Sequence, residues 1–443
     1  MYADLREKST RTRFARDLTT LRKVSIVTKN RSQTASSQSH RSRSSENEWN
    51  VLKLIHAEPH ISRIQLSKHT FQSAASITAI VEKLMEKGLI VESGHNQSAM
   101  GRKPVSLSVR REAGFVIGVD LGSFYTRVVV TDLGGHPVYK HAWETGMADG
   151  REVVLARTLK AIHNAISDSG KPRSAFGGIG IGHSGVIDVK NGLVLSFPRP
   201  GQMAEWKNVA LRQILTDEFK VPCMLEDSVR AIAIAERHLG LGIGLDDFIY
   251  IDVGMGIGSA IFLDGKLYRG PGGSAGEFGH ITVDEEGPLC CCGNHGCLET
   301  VASCSAIIQS VRAAIERGVD SSVRELSGGN LDRISIEMIG QAATHNDGLC
   351  FRVLSQAVSQ IAVALADVVN LLNPHVIIFG GALFRSAPEL FLDPLKRIIK
   401  QRALEKSANE AQMKISGLAS EAGALGAARL ISETVLEILY REA

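Results

Sequence analysis

Two stretches of this chain, FVIGVDLGSFYTRVVVTDLGGHPVYKHAWET and DDFIYIDVGMGIGSAIFLDGKLYRG, are built on one plan. Each alternates apolar and polar residues across glycine-bearing turns, the period of a half-buried strand meander. The first predicts strands at residues 115–121, 125–132 and 136–143, then a helix over Val153–Ser167 and a strand over Gly177–Ile181. The second meander is likewise followed by helical sequence. Two meander-plus-helix halves leave few layer architectures open. A duplicated α/β body with a cleft between two lobes satisfies the pattern.

The 443 residues are enough for two or three cored domains. No run approaches the ~18 consecutive apolar residues of a membrane span, and the charged N-terminus lacks the apolar centre of a secretory signal. A cytoplasmic location is therefore expected, where clustered cysteines point to metal or redox chemistry before disulfides. Charge is unevenly spread. Residues 1–110 carry 19 Lys and Arg against 9 Asp and Glu, while the remaining 333 carry 31 against 38. A basic module on an acidic body suggests a polyanionic partner; a basic tail without a specific partner is the plainer alternative.

Residues 1–45 are rich in Ser, Arg, Thr and Gln and read as a disordered basic tail, with a short helix allowed at Phe14–Leu21. From residue 46 to 110 the pattern changes. Val51, Leu52 and Ile55 share a helical face, Ser62 and Gln65 stand at capping-box spacing, and Ile77, Ile80, Val81 and Leu84 repeat as a third helix requires. A hairpin follows, its polar tip carrying Arg102 and Lys103. Three short helices and a basic hairpin make a winged helix-turn-helix, whose third helix enters the major groove while the wing meets the backbone. Ser73, Ser76 and Thr78 are the polar candidates for DNA contact on that helix. A three-helix protein-interaction module is the rival.

His280, Cys290, Cys292 and Cys297 form His-x9-Cys-x-Cys-x4-Cys, a ligand set suited to structural zinc. Cys291, between two of them, should point away. A redox switch among adjacent thiols is the competing reading, and Cys223, Cys304 and Cys350 read as core thiols.

Six segments taken together, VDLG (119–122), VGMGIG (253–258), DGKLYRG (264–270), AGEFGH (275–280), CCCGNHGCLE (290–299) and VIIFGG (376–381), resemble the ROK family of repressors, open reading frames and sugar kinases. The resemblance covers about residues 46–443. It implies an actin-like ATPase (ribonuclease H-like) two-lobed α/β fold behind the winged helix-turn-helix. The lobes would be 111–227, completed by 419–443, and 228–418, the second holding the zinc site. It also implies zinc on the four residues just named, and sugar hydroxyls bound by Glu277, His280 and Glu299, with Asp227 at a further sugar-facing position.

Members that carry the DNA-binding module are sugar-responsive bacterial transcription regulators. The resemblance thus implies a small sugar effector, a pseudo-palindromic DNA operator, a homodimer or dimer of dimers, and nucleoid association when bound. Family kinases draw their catalytic base from a segment like E-N-D-A-N-A-A-A-x-x-E. Here EDSVRAIAIAE (226–236) puts Ser228 where that Asp stands, and a hydroxyl has no useful basicity near neutral pH. Ser123 and Phe124 alter the first phosphate loop, and Met255 replaces a threonine in the second. No phosphoryl transfer is expected, against the alternative of an active hexose or amino-sugar kinase; a regulator bound by a protein partner is a third possibility. In GIGHSGVIDVKNGLVLSFPRPGQMAEWKN (180–208), Asp188 and Trp206 are further candidate ligand contacts, although a lone tryptophan is more often core.

Overall fold

The computed structural model describes residues 32–95, 105–197 and 206–443. The suggested helix at Phe14–Leu21, the wing tip with Arg102 and Lys103, and the stretch beginning near Arg199 lie outside the described residues. Helices α1 (Ser32–Ala57), α2 (Arg63–Thr70) and α3 (Ala74–Glu86) precede strands β2 (Ile90–His95) and β3 (Val105–Val109), with the short β1 (Ile61–Ser62) before α2. The three strands form one sheet in the order β1-β3-β2. Val51, Leu52, Ile55, Leu66, Ile77, Val81 and Leu84 are buried together, so the apolar periodicity becomes a core.

The capping box forms as its spacing predicts. The Gln65 N–H donates to Ser62 Oγ at 3.3 Å and the Ser62 N–H donates to Gln65 Oε1 at 2.9 Å. One expectation changes: α1 reaches back to Ser32, into the segment read as tail. Its packed part anchors it, through an ion pair between Glu48 and Lys83 at 2.9 Å. A helix once nucleated extends at little cost through permissive sequence.

The body holds two five-stranded sheets of one topology. In the first, β4 (Phe115–Leu121), β5 (Tyr125–Asp132) and β6 (Pro137–Glu144) form the antiparallel meander. Helix α4 (Arg151–Asp168) leads to β7 (Phe176–His183), which pairs parallel to β4. A small hairpin of β8 (Val186–Asp188) and β9 (Leu193–Ser196) and helix α5 (Leu211–Phe219) then lead to β10 (Cys223–Asp227). The sheet order is β10-β7-β4-β5-β6.

Helix α6 (Ser228–Leu239) starts directly from the end of β10. Strands β11 (Phe248–Val253), β12 (Ile257–Leu263) and β13 (Lys266–Tyr268) repeat the meander, and β14 (Val376–Gly380) and β15 (Gln412–Ile415) complete the second sheet as β13-β12-β11-β14-β15. Between the meander and β14 come α7 (Leu298–Ala302), α8 (Cys304–Glu316) and the helix Gly348–Leu372, whose Ile361, Leu365 and Val369 are buried in the second core.

The last helix, Ala422–Glu442, lies across the first sheet and against α6. Close approach explains the glycines in its path. A Cβ at Gly118 would sit 1.9 Å from the Ala424 carbonyl oxygen, and one at Gly180 would sit 1.8 Å from that of Ala427. On the second-sheet side, a Cβ at Gly258 of β12 would lie 2.8 Å from Val229 of α6. Helix α6 is thus wedged between the two halves.

Candidate functional site

The 3-10 turn Phe278–His280, the loop that follows, and the start of α7 bring His280, Cys290, Cys292 and Cys297 together. Their ligand atoms all lie within 4.8 Å of one another. Cys290 Sγ stands 3.5 Å from His280 Nδ1, and Cys292 Sγ stands 3.6 Å from Cys297 Sγ. A tetrahedral cation with sulfurs at about 2.3 Å and a nitrogen near 2.0 Å demands edges of roughly 3.5–3.8 Å. The quartet therefore fits a metal ion.

Two glycines make the fold of this loop possible. Gly293 and Gly296 have φ of 92° and 61°, and a Cβ at Gly296 would meet the Asp284 carbonyl oxygen at 1.5 Å. Cys291 is exposed and stands outside the quartet, but its Sγ lies 3.9 Å from both Cys290 Sγ and Glu299 Oε1. Cys223, Cys304 and Cys350 are buried.

The two nitrogens of His280 face different neighbours. Nδ1 faces the sulfurs, while Nε2 stands 4.0 Å from the exposed carboxylate of Glu277. Glu299 sits in the first turn of α7 and its Oε2 accepts the Ile257 N–H at 2.8 Å, bracing the second glycine loop. Asp227 is the N-cap of α6: its Oδ1 accepts the N–H groups of Val229 and Arg230 at 2.9 and 3.0 Å. Burial pushes its carboxyl up to about 7, opposed by the Arg230 bond and charge and aided by the charges of Glu226 and Glu277. Asp227 and Glu277 therefore feel one another, although one Asp227 oxygen is spent on the helix.

At the position of the kinase base, Ser228 is buried and donates its hydroxyl to Asp120 Oδ1 at 3.0 Å. Asp120, at the end of β4, also stands 3.7 Å from Arg127. Burial pushes its carboxyl up to about 6 despite that bond and charge. Ser228 therefore satisfies Asp120, and Phe124 in the first glycine turn is 46 % exposed. Glu226, fully buried beside them, accepts from Arg269 Nε at 2.8 Å and pairs with Arg230 at 3.6 Å; Arg230 Nη2 donates to the Ala275 carbonyl at 2.8 Å. This cluster ties β10 and α6 to the loop that leads into Glu277. Sequence reading missed it; a glutamate preceding an arginine by four residues was the available signal.

Asp188 is held in its own turn, accepting from the Asn191 backbone at 3.0 Å and side chain at 2.6 Å. Trp206 is fully buried against His183 and Phe197, with ring centroids 5.2 and 6.5 Å away. It is a core residue at this position.

On α3, Ser73 is the N-cap, its Oγ accepting the Ser76 N–H at 3.2 Å and lying 2.9 Å from Ser76 Oγ. Thr78 donates to the Ala74 carbonyl at 2.9 Å. All three candidate hydroxyls bond within the helix, although Ser73 and Ser76 are also exposed.

A second polar cluster joins the DNA-binding module to the body, where no sequence signal was read. Arg429 of the last helix contacts His56 Nε2 at the end of α1 and donates through Nη2 to the His56 carbonyl at 2.6 Å. Ser432 Oγ lies 3.1 Å from the same ring nitrogen. A guanidinium only donates, so His56 accepts and is neutral; burial and the Arg429 charge hold it well below the usual imidazole range. His238, near the other end of α6, is pushed down to about 2 by burial and then by Arg429 and Arg237. One helix thus begins at Ser228 beside the cleft and ends at this junction.

Known proteins agree with this layout. The ROK family model matches residues 116–434, and a winged helix-turn-helix DNA-binding model matches residues 44–91. The xylose repressor of Caldicellulosiruptor bescii is 32 % identical over 87 % of this chain and 95 % of its own. The DNA-binding transcriptional dual regulator NagC of Escherichia coli is 29 % identical over 87 % of this chain and 92 % of its own. Among solved structures, a ROK family transcriptional regulator, homologous to the Escherichia coli MLC protein, superposes with a TM-score of 0.74. The two are 30 % identical, covering 90 % of this chain and 99 % of that one. The chain belongs to the ROK family, with a winged helix-turn-helix in front of an actin-like two-lobed body.

Proposed function

We propose that this protein is a sugar-responsive, DNA-binding transcriptional regulator, a repressor of carbohydrate-utilisation genes whose degenerate kinase body serves as the ligand sensor. One observation carries the reading: in a chain with a DNA-binding module in front, the kinase-base position holds Ser228, spent on Asp120. A general base needs a group able to take a proton near neutral pH, and this one has none to offer. The protein is not an enzyme. Similarity to the xylose repressor and NagC supports the same conclusion.

The effector is a small sugar. Glu277 and the Nε2 side of His280 present an acceptor and a donor to vicinal hydroxyls, with Asp227 and Glu299 adding carboxylate oxygens behind them. Zinc is the cation for His280, Cys290, Cys292 and Cys297; four protein ligands close its shell, so it supplies a fixed support and no reactive position. With Nδ1 committed to that cation, His280 keeps its proton on Nε2, toward the cleft. Sugar binding favours one lobe angle, and α6 carries the change to the junction of His56 and Arg429. The coupling equals the difference in sugar affinity between the two states.

A homodimer, or a dimer of dimers, in the bacterial cytoplasm would set two winged helices on a pseudo-palindromic operator, with half-sites one helical turn of about 34 Å or a multiple apart. Ser73, Ser76, Arg102 and Lys103 approach DNA in this reading, Thr78 more remotely. The test is calorimetric titration with pentoses, hexoses and amino sugars beside an ADP-release assay on the same sample with ATP. Heat from one sugar class without ADP is expected; sugar-dependent ADP release at enzymatic rates would establish the kinase instead.

A further inference from the structure

The turn between α2 and α3 holds a residue that folding alone does not explain. Phe71 is 95 % exposed, with its backbone at φ 53° and ψ 27°. That left-handed region suits glycine and is a steric outlier for a bulky side chain. The turn around it is pinned. Ser67 Oγ donates to the Gln72 carbonyl at 2.6 Å, and Thr70 Oγ1 donates to the Leu66 carbonyl at 2.7 Å. A benzyl group is therefore carried in water on a fixed, strained backbone, two residues before the N-cap of α3.

Its position says what it is for. In a helix-turn-helix the second helix enters the major groove with its N-terminal residues against the base edges. The model that matches residues 44–91 is of that DNA-binding kind. The exposed side chains in the first two turns of α3 are Ala74, Ala75, Ser76 and Ala79. None is an arginine, lysine, asparagine or glutamine, the side chains that read guanine or adenine by paired hydrogen bonds. Phe71 precedes them in the turn, followed by the half-buried Gln72, so the fully exposed part of this segment is mostly apolar. The apolar feature that base pairs show in the major groove is the 5-methyl group of thymine.

We infer that Phe71 is a specificity-determining DNA contact that packs on the 5-methyl group of a thymine in each half-site. This deepens the DNA-binding reading above and rests on it. Phosphate contacts from the basic module set affinity and register, and Phe71 selects the base at its own position. A methyl contact is indifferent to the hydrogen-bonding pattern, so uracil in place of that thymine removes the partner and changes nothing else in the pair.

The probe is a 30-base-pair duplex enriched from a random library by the full-length protein, with each thymine replaced in turn by uracil. Affinity is measured by fluorescence anisotropy at several salt concentrations. Phe71→Gly suits the test because glycine adopts this backbone without strain, so the variant should fold at least as well as the parent. The parent is expected to lose roughly 5- to 100-fold in affinity at one uracil position per half-site, the range of a single mismatched base pair. Phe71→Gly should show the same weakening on the thymine duplex and no further loss on uracil, while Phe71→Leu recovers part of the difference.

If the parent binds the duplex specifically and with the usual salt dependence, yet Phe71→Gly matches it and no uracil position matters, the assignment is wrong while DNA binding stands. Should Phe71→Gly change the oligomeric state and leave the uracil profile intact, Phe71 serves a subunit contact and the assignment is again wrong. If the library yields no enriched sequence and binding does not respond to salt, the DNA-binding reading fails and takes this inference with it.

Discussion

At the scale of single residues, Asp120 and Ser228 decide between catalyst and sensor. A carboxyl raised from 3.8 to about 6 by burial binds its proton more tightly in the folded chain than in the unfolded one. Its contribution to stability is full below pH 4 and is lost as pH rises toward 6. The shift corresponds to about 3 kcal/mol. Asp120→Asn, which still accepts from Ser228, should therefore raise stability by about 1–3 kcal/mol at pH 7.5 and by almost nothing near pH 4, as read from denaturant melts at both pH values. Ser228→Asp should do the opposite. It places a second carboxylate beside one already reluctant to ionise, lowering stability by about 1–3 kcal/mol at neutral pH without creating ADP release. ADP production by that variant would show a kinase centre needing only its base.

At the scale of elements, ligand binding and its effect on DNA are expected to depend on the loop from Phe278 to Cys297 and on helix α6. Phe278, Ile281 and Val283 pack on the second core, but Asp284, Glu285, Glu286 and Cys292 beyond them are exposed, so a bound metal would supply much of the order of that part of the loop. Removing the cation with a strong chelator, or substituting Cys297→Ser, should lower the melting temperature and weaken sugar binding at least tenfold. DNA binding without sugar should persist. Loss of the fold outright would show that the metal holds more than this wall.

Helix α6 reaches from Ser228 to the junction at His56 and His238. Arg429→Met removes a buried guanidinium and leaves the His56 carbonyl without its donor. The expected cost is about 1–3 kcal/mol. More telling, the sugar should still bind while its effect on DNA affinity falls, because the contact between sensor and module has been cut. Titration of the variant with sugar in the presence and absence of operator DNA reads both quantities.

At the scale of the whole molecule, what was legible in the sequence followed from short-range rules. Strands of the first meander lie within a residue or two of their expected ends because alternation and glycine turns are local. The capping box at Ser62 and Gln65 formed for the same reason. The ligand quartet was readable because spacing within a tight loop limits where sulfurs can go. Illegible were features fixed by distant chain. No local pattern announces that Arg429 meets His56 across 373 positions, or that Ser228 meets Asp120 across 108. Trp206 could be read as ligand contact or as core, because burial cannot be read from one aromatic. Phe71 was passed over because its importance lies in exposure and backbone angle, and the hydroxyls chosen instead are bonded within their own helix.

A sugar bound in the body is expected to control a DNA-binding module at the other end of α6. The most direct measurement is the affinity of the full-length protein for a labelled duplex from its gene's own upstream region or from library selection, with and without each sugar of the panel. The expected result is tight, salt-sensitive binding that one sugar class shifts at least tenfold and the others leave unchanged. Specific binding that no sugar alters, together with measurable sugar binding to the same sample, would contradict it.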